Sequence, residues 1–162
     1  MKNLFSKDSA ATGILTHWWQ SLEKDKGTRA ELRRCDTPEM VMFHPAFPRL
    51  CHRLEPALGN EWNWQIRLAA VVGLLSHVRK TTGQTLAYQM AGNPPQVSEL
   101  RFRRLLQREQ DDLYGAMIRI LQMLEYSANL PDLMSSVFYW GDPVRKRWAF
   151  DYFPNTPESK TA

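Results

Sequence analysis

An arginine-rich segment, residues 98–110, carries the side chains best suited to chemistry. At about 100° of helical rotation per residue, Arg101, Arg104 and Arg108 share one face of a helix over this segment. A neighbouring stripe is apolar and could anchor the helix in a core; it comprises Phe102, Leu105 and Leu106. The planar guanidinium group binds phosphates bidentately and stacks on unpaired bases. The pattern therefore predicts a surface that follows a nucleic-acid backbone, with a solvated arginine-rich face as the alternative.

Other basic clusters lie between apolar helical faces elsewhere in the chain. We predict that they join the first cluster in a groove that binds nucleic acid without reading its sequence. The candidate nucleic-acid-binding residues are Arg33, Arg34, Arg101, Arg104, Arg108, Arg119, Arg145, Lys146 and Arg147. Arg29 is expected to face outward beside Arg33 and Arg34.

Familiar catalytic motifs are missing from the sequence, which contains no glycine-rich phosphate loop, no G-x-S-x-G and no H-E-x-x-H. We therefore predict that the protein is not an enzyme and needs no cofactor. Cys35, His44, Cys51 and His52 lack the C-x-x-C or H-x-x-x-H spacing of a zinc site, so no metal is expected. The acidic pair at 111–112 is explained by its position at the start of a helix.

The composition predicts a soluble globular protein with an anionic partner. The 162 residues are 43% hydrophobic and carry a net charge of +4, which excludes wholesale disorder and favours a polyanion or an acidic protein as partner. No run approaches the roughly 18 apolar residues of a membrane span, and the first residues lack the apolar core of a secretory signal. We therefore expect a cytoplasmic protein with no membrane partner, whose two cysteines stay reduced.

Apolar residues repeat at helical spacing along most of the chain, and no segment shows the alternation of a strand. The sequence therefore predicts an all-α fold, a compact helical protein with an N-terminal and a C-terminal half. We place the N-terminal half at residues 10–80, a connecting loop at 81–97 and the C-terminal half at 98–153. Within the loop, T-L-A-Y-Q-M-A has the composition of one or two helical turns. The first seven or so residues and the tail at 154–162 are expected to be flexible.

Capping residues and one glycine make the helix predictions more specific. Ser98 is expected to cap the helix over 98–110, and Thr28 to cap a short helix that carries Arg33. The longest apolar helix is predicted over residues 62–78. Because glycine costs about 1 kcal/mol relative to alanine in a helix, Gly73 within it indicates close approach by another element.

Several sequence segments, in their order and spacing, resemble a known family. They are W-W-Q-S-L, R-A-E-L-R-R, H-P-A-F-P-R-L, the long apolar helix ending in L-L-S-H-V, S-E-L-R-F-R-R-L-L and the closing R-K-R-W-A-F-D-Y-F. The chain is similar over most of residues 12–153 to the CasB family, the small subunits of the type I-E CRISPR surveillance complex Cascade.

The resemblance implies an all-helical, non-catalytic subunit that stabilises the R-loop. Two copies are expected head to tail along the inner belly of the complex, lining a path for the displaced, single-stranded non-target DNA. They would support the backbone and large subunits beside the heteroduplex of guide RNA and target strand, while base pairing reads the sequence. Arg33, Arg34, Arg101 and Arg119 match basic positions of the family, as do the other arginines of R-F-R-R. Of these, Arg103 points away from the shared face and is expected to contact a neighbouring subunit.

Two other functions remain open at this point. The first is a helical protein–protein adaptor, whose basic patches meet acidic protein surfaces and which has no nucleic-acid role. The second is a helix-turn-helix regulator, which needs base-reading Asn, Gln, Ser or Thr on its recognition helix. Beyond its cap, the helix over 98–110 offers only Gln107 and Gln110 for that purpose.

Overall fold

Ten α-helices and two very short strands make up the fold of residues 3–158, the part of the chain that the computed structural model describes. The helices are α1 Ala10–Ser21, α2 Lys26–Arg33, α3 Pro38–Met42, α4 Ala46–Leu58, α5 Trp64–Leu75, α6 Leu86–Met90, α7 Glu99–Leu106, α8 Leu113–Met123, α9 Leu130–Phe138 and α10 Asp142–Tyr152. Strands β1, Lys80–Thr81, and β2, Ser127–Ala128, pair in parallel. The predicted all-α fold is confirmed.

The central helix is α5, which is buried on most of its circumference and packs chiefly against α3 and α9. An ideal β-carbon built on Gly73 would overlap the hydroxyl and ring of Tyr114 in α8. The predicted close approach at Gly73 is therefore confirmed: this glycine lets α8 pack directly onto α5.

Side-chain caps begin several helices, and one of them differs from the prediction. Thr28 does not cap α2. Asp25 does, because its carboxylate accepts hydrogen bonds from the Thr28 N–H at 3.2 Å and from the Thr28 hydroxyl at 2.8 Å. An aspartate is a strong N-cap, and the helix therefore starts one turn earlier than expected.

The segment predicted as a connecting loop, 81–97, contains a helix of its own. Leu86, Ala87 and Met90 of α6 are buried, and α6 packs against α10. One hydrophobic core extends across this segment and includes residues from both predicted halves. The division of the chain into two halves stays a prediction.

Both predicted flexible ends are ordered in part. Phe5 is fully buried, with its ring centroid 4.9 Å from that of Phe138, because burying an aromatic side chain offsets the entropy lost by ordering the chain around it. Near the other end, the Gly92 N–H donates to the Asn155 carbonyl at 3.0 Å and to the Thr156 hydroxyl at 3.4 Å. Residues 1–2 and 159–162 of the predicted flexible ends lie outside the described residues.

Within the described range, no helix has the length and apolar character needed to cross a bilayer.

Candidate nucleic-acid interface

Helix α7 positions the first arginine cluster. Its cap is confirmed, since the Ser98 hydroxyl accepts a hydrogen bond from the Arg101 N–H at 3.3 Å. The helix ends at Leu106, earlier than the predicted 98–110. The chain then turns into a short 3-10 helix, at whose start the Glu109 N–H donates to the Asp112 carboxylate at 2.7 Å. Arg108 therefore lies beyond α7.

An aromatic stack anchors α7 to the end of α10. The Phe102 ring is fully buried and lies parallel to the Tyr152 ring, with centroids 3.8 Å apart, while Phe153 meets Phe102 edge-on at 5.4 Å. The Tyr152 hydroxyl donates to the Val97 carbonyl at 2.6 Å, just before the helix begins. These contacts direct the apolar side of α7 inward and leave Arg101 and Arg104 exposed.

A shallow groove of about 190 Å³ between α7 and α8 brings four of the predicted residues together. We call it the arginine groove; its lining residues are Arg101, Arg104, Leu105, Arg108, Ala116, Arg119, Ile120 and Met123. Arg108 pairs with Asp112 at 3.8 Å, whereas the other three arginines have no ion pair within residues 3–158. Guanidinium groups can bind phosphates bidentately and can stack on unpaired bases.

Arg33, the last residue of α2, lies at the C-terminal end of α8. Its guanidinium lies over the Tyr126 ring, 5.8 Å from the centroid, and the Arg79 and Lys80 N–H groups donate to the Tyr126 carbonyl at 2.7 and 3.2 Å. Arg33, Arg79 and Lys80 thus form a second basic cluster around Tyr126. Because Met123 of α8 lines the arginine groove, this second cluster lies at the end of the same helix. Arg34 is exposed beside it in sequence.

Arg29 does not face outward as predicted. It is buried, with 6% of its surface exposed, and pairs with Glu23 at 3.2 Å. The methylenes of an arginine can pack against a core while the guanidinium reaches an acidic partner, and helical periodicity alone does not distinguish the two arrangements.

The basic triplet of α10 separates into two residues that bond within the chain and one, Lys146, that has no ion pair among the residues described. The Arg145 guanidinium donates to the Arg108 carbonyl at 2.6 Å and contacts Glu109 and Asp142 at 3.3 and 3.0 Å. Arg147 donates to the Ser136 hydroxyl at 2.7 Å and to the Asp132 carboxylate at 3.3 Å. Lys146 is exposed. Arg145 thus braces the turn that presents Arg108, a role that sequence reasoning missed.

The comparison with protein families decides what this fold is. The family model for CRISPR-associated protein Cse2 matches residues 28–153, which include α3–α10 and every arginine of the groove. The chain belongs to the Cse2 family. The resemblance to the CasB family noted in the sequence is thereby confirmed.

Two solved structures share the Cse2 fold with this chain. One is a chain in the crystal structure of Escherichia coli Cascade bound to a PAM-containing double-stranded DNA target; it is 21% identical, with a TM-score of 0.70 over 91% of this chain and 96% of that one. The other is CasB from Thermus thermophilus, 23% identical, with a TM-score of 0.63 over 90% of this chain and 99% of that one. No curated protein matches the sequence.

Few other side chains in the described part of this Cse2 member are arranged for nucleophilic chemistry or metal binding. Cys35 and Cys51 are both free thiols, and burial raises the pKa of Cys51 to about 11, so it stays protonated and unreactive at neutral pH. Across residues 3–158, no three His, Cys, Asp or Glu side chains come together as a metal site would require.

His77 is buried near Arg33 of the second basic cluster, and we expect its protonation to destabilise the fold in acid. Burial, reinforced by the nearby positive charge of Arg33, lowers its pKa to about 4, and its Nε2 has no hydrogen-bond partner in the described structure. The unfolded chain therefore binds a proton below about pH 6.5, while the folded chain does so only near pH 4. We expect the free energy of unfolding to fall by about 3 kcal/mol over this interval from His77 alone.

Urea unfolding of the wild type and of His77→Asn at several pH values measures this contribution. Carboxylates titrate in both proteins, so the difference between the two pH profiles isolates His77. Parallel profiles between pH 6.5 and 4 would contradict the assignment.

Proposed function

We propose that this chain is the small, non-catalytic subunit of a type I-E CRISPR Cascade complex and that its arginine groove binds the displaced non-target DNA strand. The observation that carries the proposal is the convergence of Arg101, Arg104, Arg108 and Arg119 on one groove. Membership of the Cse2 family, and the shared fold with a chain of Escherichia coli Cascade bound to double-stranded DNA, support the assignment to this complex.

The groove suits a single strand held without sequence readout. Three of its arginines are exposed and carry no ion pair inside the described part of the chain, so little internal rearrangement precedes a phosphate contact. Its floor consists of Leu105, Ala116, Ile120 and Met123, which cannot hydrogen-bond to base edges. Binding would therefore depend on the backbone charge, while pairing with the guide RNA selects the sequence.

The remaining predicted residues take different parts in this proposal. Arg33 and Arg34, near the end of α8, would extend the path of the strand, and exposed Lys146 could add a phosphate contact. Arg145 and Arg147 are held by carboxylates and by hydrogen-bond acceptors of the chain itself, so a contact with DNA would have to share or break those bonds.

The proposed partners follow from the same assignment. They are the backbone and large subunits of the complex, a second copy of this chain placed head to tail, the non-target strand, and the neighbouring heteroduplex of guide RNA and target strand. The proposed N-terminal and C-terminal halves would be the units that meet in the head-to-tail arrangement.

R-loop formation and single-strand binding test the proposal together. Complexes assembled from the cognate subunits with and without this chain should differ in R-loop stability. In the complex without this chain, single-strand nucleases should cleave the displaced strand, which the complete complex protects. The isolated chain should shift single-stranded DNA in a gel at low salt, and the logarithm of its affinity should fall linearly with the logarithm of the salt concentration. The adaptor alternative predicts assembly without any DNA shift, and that result would contradict the proposed role of the groove.

A further inference from the structure

A second groove, apolar and larger than the arginine groove, opens between α5 and the α9–α10 pair. Its volume is about 940 Å³. We call it the apolar groove; the side chains that give it this character are Trp62, Ile66, Ala70, Tyr139, Trp140 and Val144. A concave apolar surface of this size that faces solvent is typical of a site that another molecule covers.

Trp62 stands at the edge of this groove with 80% of its surface exposed. Its backbone is nevertheless held: the Trp62 carbonyl accepts a hydrogen bond from the Arg67 guanidinium at 2.9 Å, and Asn63 adopts a left-handed conformation with φ of 51°. Arg67 is itself fixed by the Phe138 carbonyl at 2.9 Å and by the Phe138 ring, whose centroid lies 4.0 Å away. A large aromatic side chain on a rigid turn can bind with little loss of backbone entropy.

Acidic groups on the lining of the apolar groove favour a partner with positive charge. Glu39 and Asp111 are exposed and have no ion pair in the part of the chain that the structure describes. The other charges of the lining are engaged: Glu109 by Arg145, Arg147 by Asp132, and Arg67 by two carbonyls. A DNA strand would meet unpaired carboxylates here, whereas a cationic side chain would find two acceptors.

The two grooves lie on either side of one turn. Arg108 lines the arginine groove, and residues 109–111 directly after it line the apolar groove. The lining therefore changes from basic to acidic across this turn, which favours an anionic partner in the arginine groove and a cationic one in the apolar groove.

We propose that the apolar groove binds a segment of another Cascade subunit, in which an apolar side chain packs against Trp62 and a nearby Lys or Arg pairs with Glu39 or Asp111. The identity of the partner rests on the proposed function, because that assignment supplies the complex; the chemistry of the segment rests on the groove itself. Trp62 would be the energetic centre of the contact and the carboxylates would orient it.

Assembly of the complex from its cognate subunits, purified through a tag on a different subunit, provides the test. With this chain at limiting concentration, we expect Trp62→Ala and the double variant Glu39→Lys/Asp111→Lys each to be retained at least about tenfold more weakly than the wild type. The double variant Asp8→Lys/Glu55→Lys, which makes the same charge change at two exposed carboxylates outside the groove, should be retained like the wild type. All these isolated variants should keep the wild-type melting temperature, and Trp62→Ala should keep the wild-type affinity for single-stranded DNA.

A photo-crosslinking residue identifies the occupant directly. With Trp62→p-benzoylphenylalanine in the assembled complex, we expect crosslinks to an apolar, Lys- or Arg-containing segment of another subunit. Crosslinks to a second copy of this chain or to DNA, or full retention of Trp62→Ala and the double variant, would overturn the inference while leaving the proposed function intact. Failure of the wild-type chain to enter the complex would instead overturn the proposed function, and with it this assignment of the partner.

Discussion

The Phe102→Ala substitution is expected to lower the free energy of unfolding by about 3–5 kcal/mol. Phe102 is fully buried, stacks on Tyr152 with ring centroids 3.8 Å apart and meets Phe153 edge-on. Removing its ring leaves a cavity between α7 and α10 and deprives both partner rings of their packing. The eight-residue α7 is too short to be stable by its own hydrogen bonds, so it depends on this anchor.

Urea unfolding followed by circular dichroism measures this effect. Leu100→Ala serves as the control, because Leu100 lies on the same helix but is 58% exposed, and its loss is expected to change stability by less than about 0.5 kcal/mol. A loss below about 1 kcal/mol for Phe102→Ala would show that the stack does not hold α7 in place. Because α7 carries Arg101 and Arg104, the same variant should also bind single-stranded DNA less tightly.

Replacement of Arg101, Arg104 and Arg119 by alanine is expected to weaken single-stranded DNA binding on the order of a hundredfold at about 0.1 M salt. Each phosphate neutralised contributes about 0.7 to the slope of log affinity against log salt, so three lost contacts flatten the slope by about 2. Arg108 is left unchanged, because it already pairs with Asp112 and its carbonyl accepts from Arg145. All three replaced side chains are exposed, so the fold should remain as stable as the wild type within about 0.5 kcal/mol.

Fluorescence anisotropy with a labelled oligonucleotide at several salt concentrations gives both the affinity and the slope. The matched control replaces Lys24, Arg49 and Arg53 by alanine. These residues are exposed and lie outside the arginine groove, and their replacement removes the same number of positive charges. The control should retain most of the affinity and the wild-type slope. Equal losses in the two triple variants would attribute binding to net charge and contradict a role for the groove.

The tertiary structure places in different surroundings the arginines that sequence analysis grouped together. Nine basic residues were predicted as one set, and the structure brings Arg101, Arg104, Arg108 and Arg119 to one groove while Arg145 and Arg147 bond within the chain. A guanidinium that braces a turn and one that is exposed without an ion pair have the same residue type and similar local spacing. The acceptors that engage Arg145 and Arg147, such as the Arg108 carbonyl and the Ser136 hydroxyl, lie on other elements of the fold.

The sequence alone determined the features whose signals lie within a few neighbouring residues. The serine cap of α7, its apolar and basic faces, the close approach at Gly73 and the all-α fold class were predictable because capping and helical periodicity are local. The order of short segments also indicated the CasB resemblance, which the Cse2 family match bears out.

Only the tertiary structure decided which of these features meet. Burial of Phe5 against Phe138 and the approach of Arg33 to Tyr126 depend on contacts between residues far apart in sequence, and so does the hydrogen bond from Arg145 to the Arg108 carbonyl. The apolar groove around Trp62 arises in the same way, since α5, α9 and α10 each supply one part of it. Periodicity can place a side chain on a face of a helix, but the free energy of packing between helices determines whether that face becomes core, groove or open surface.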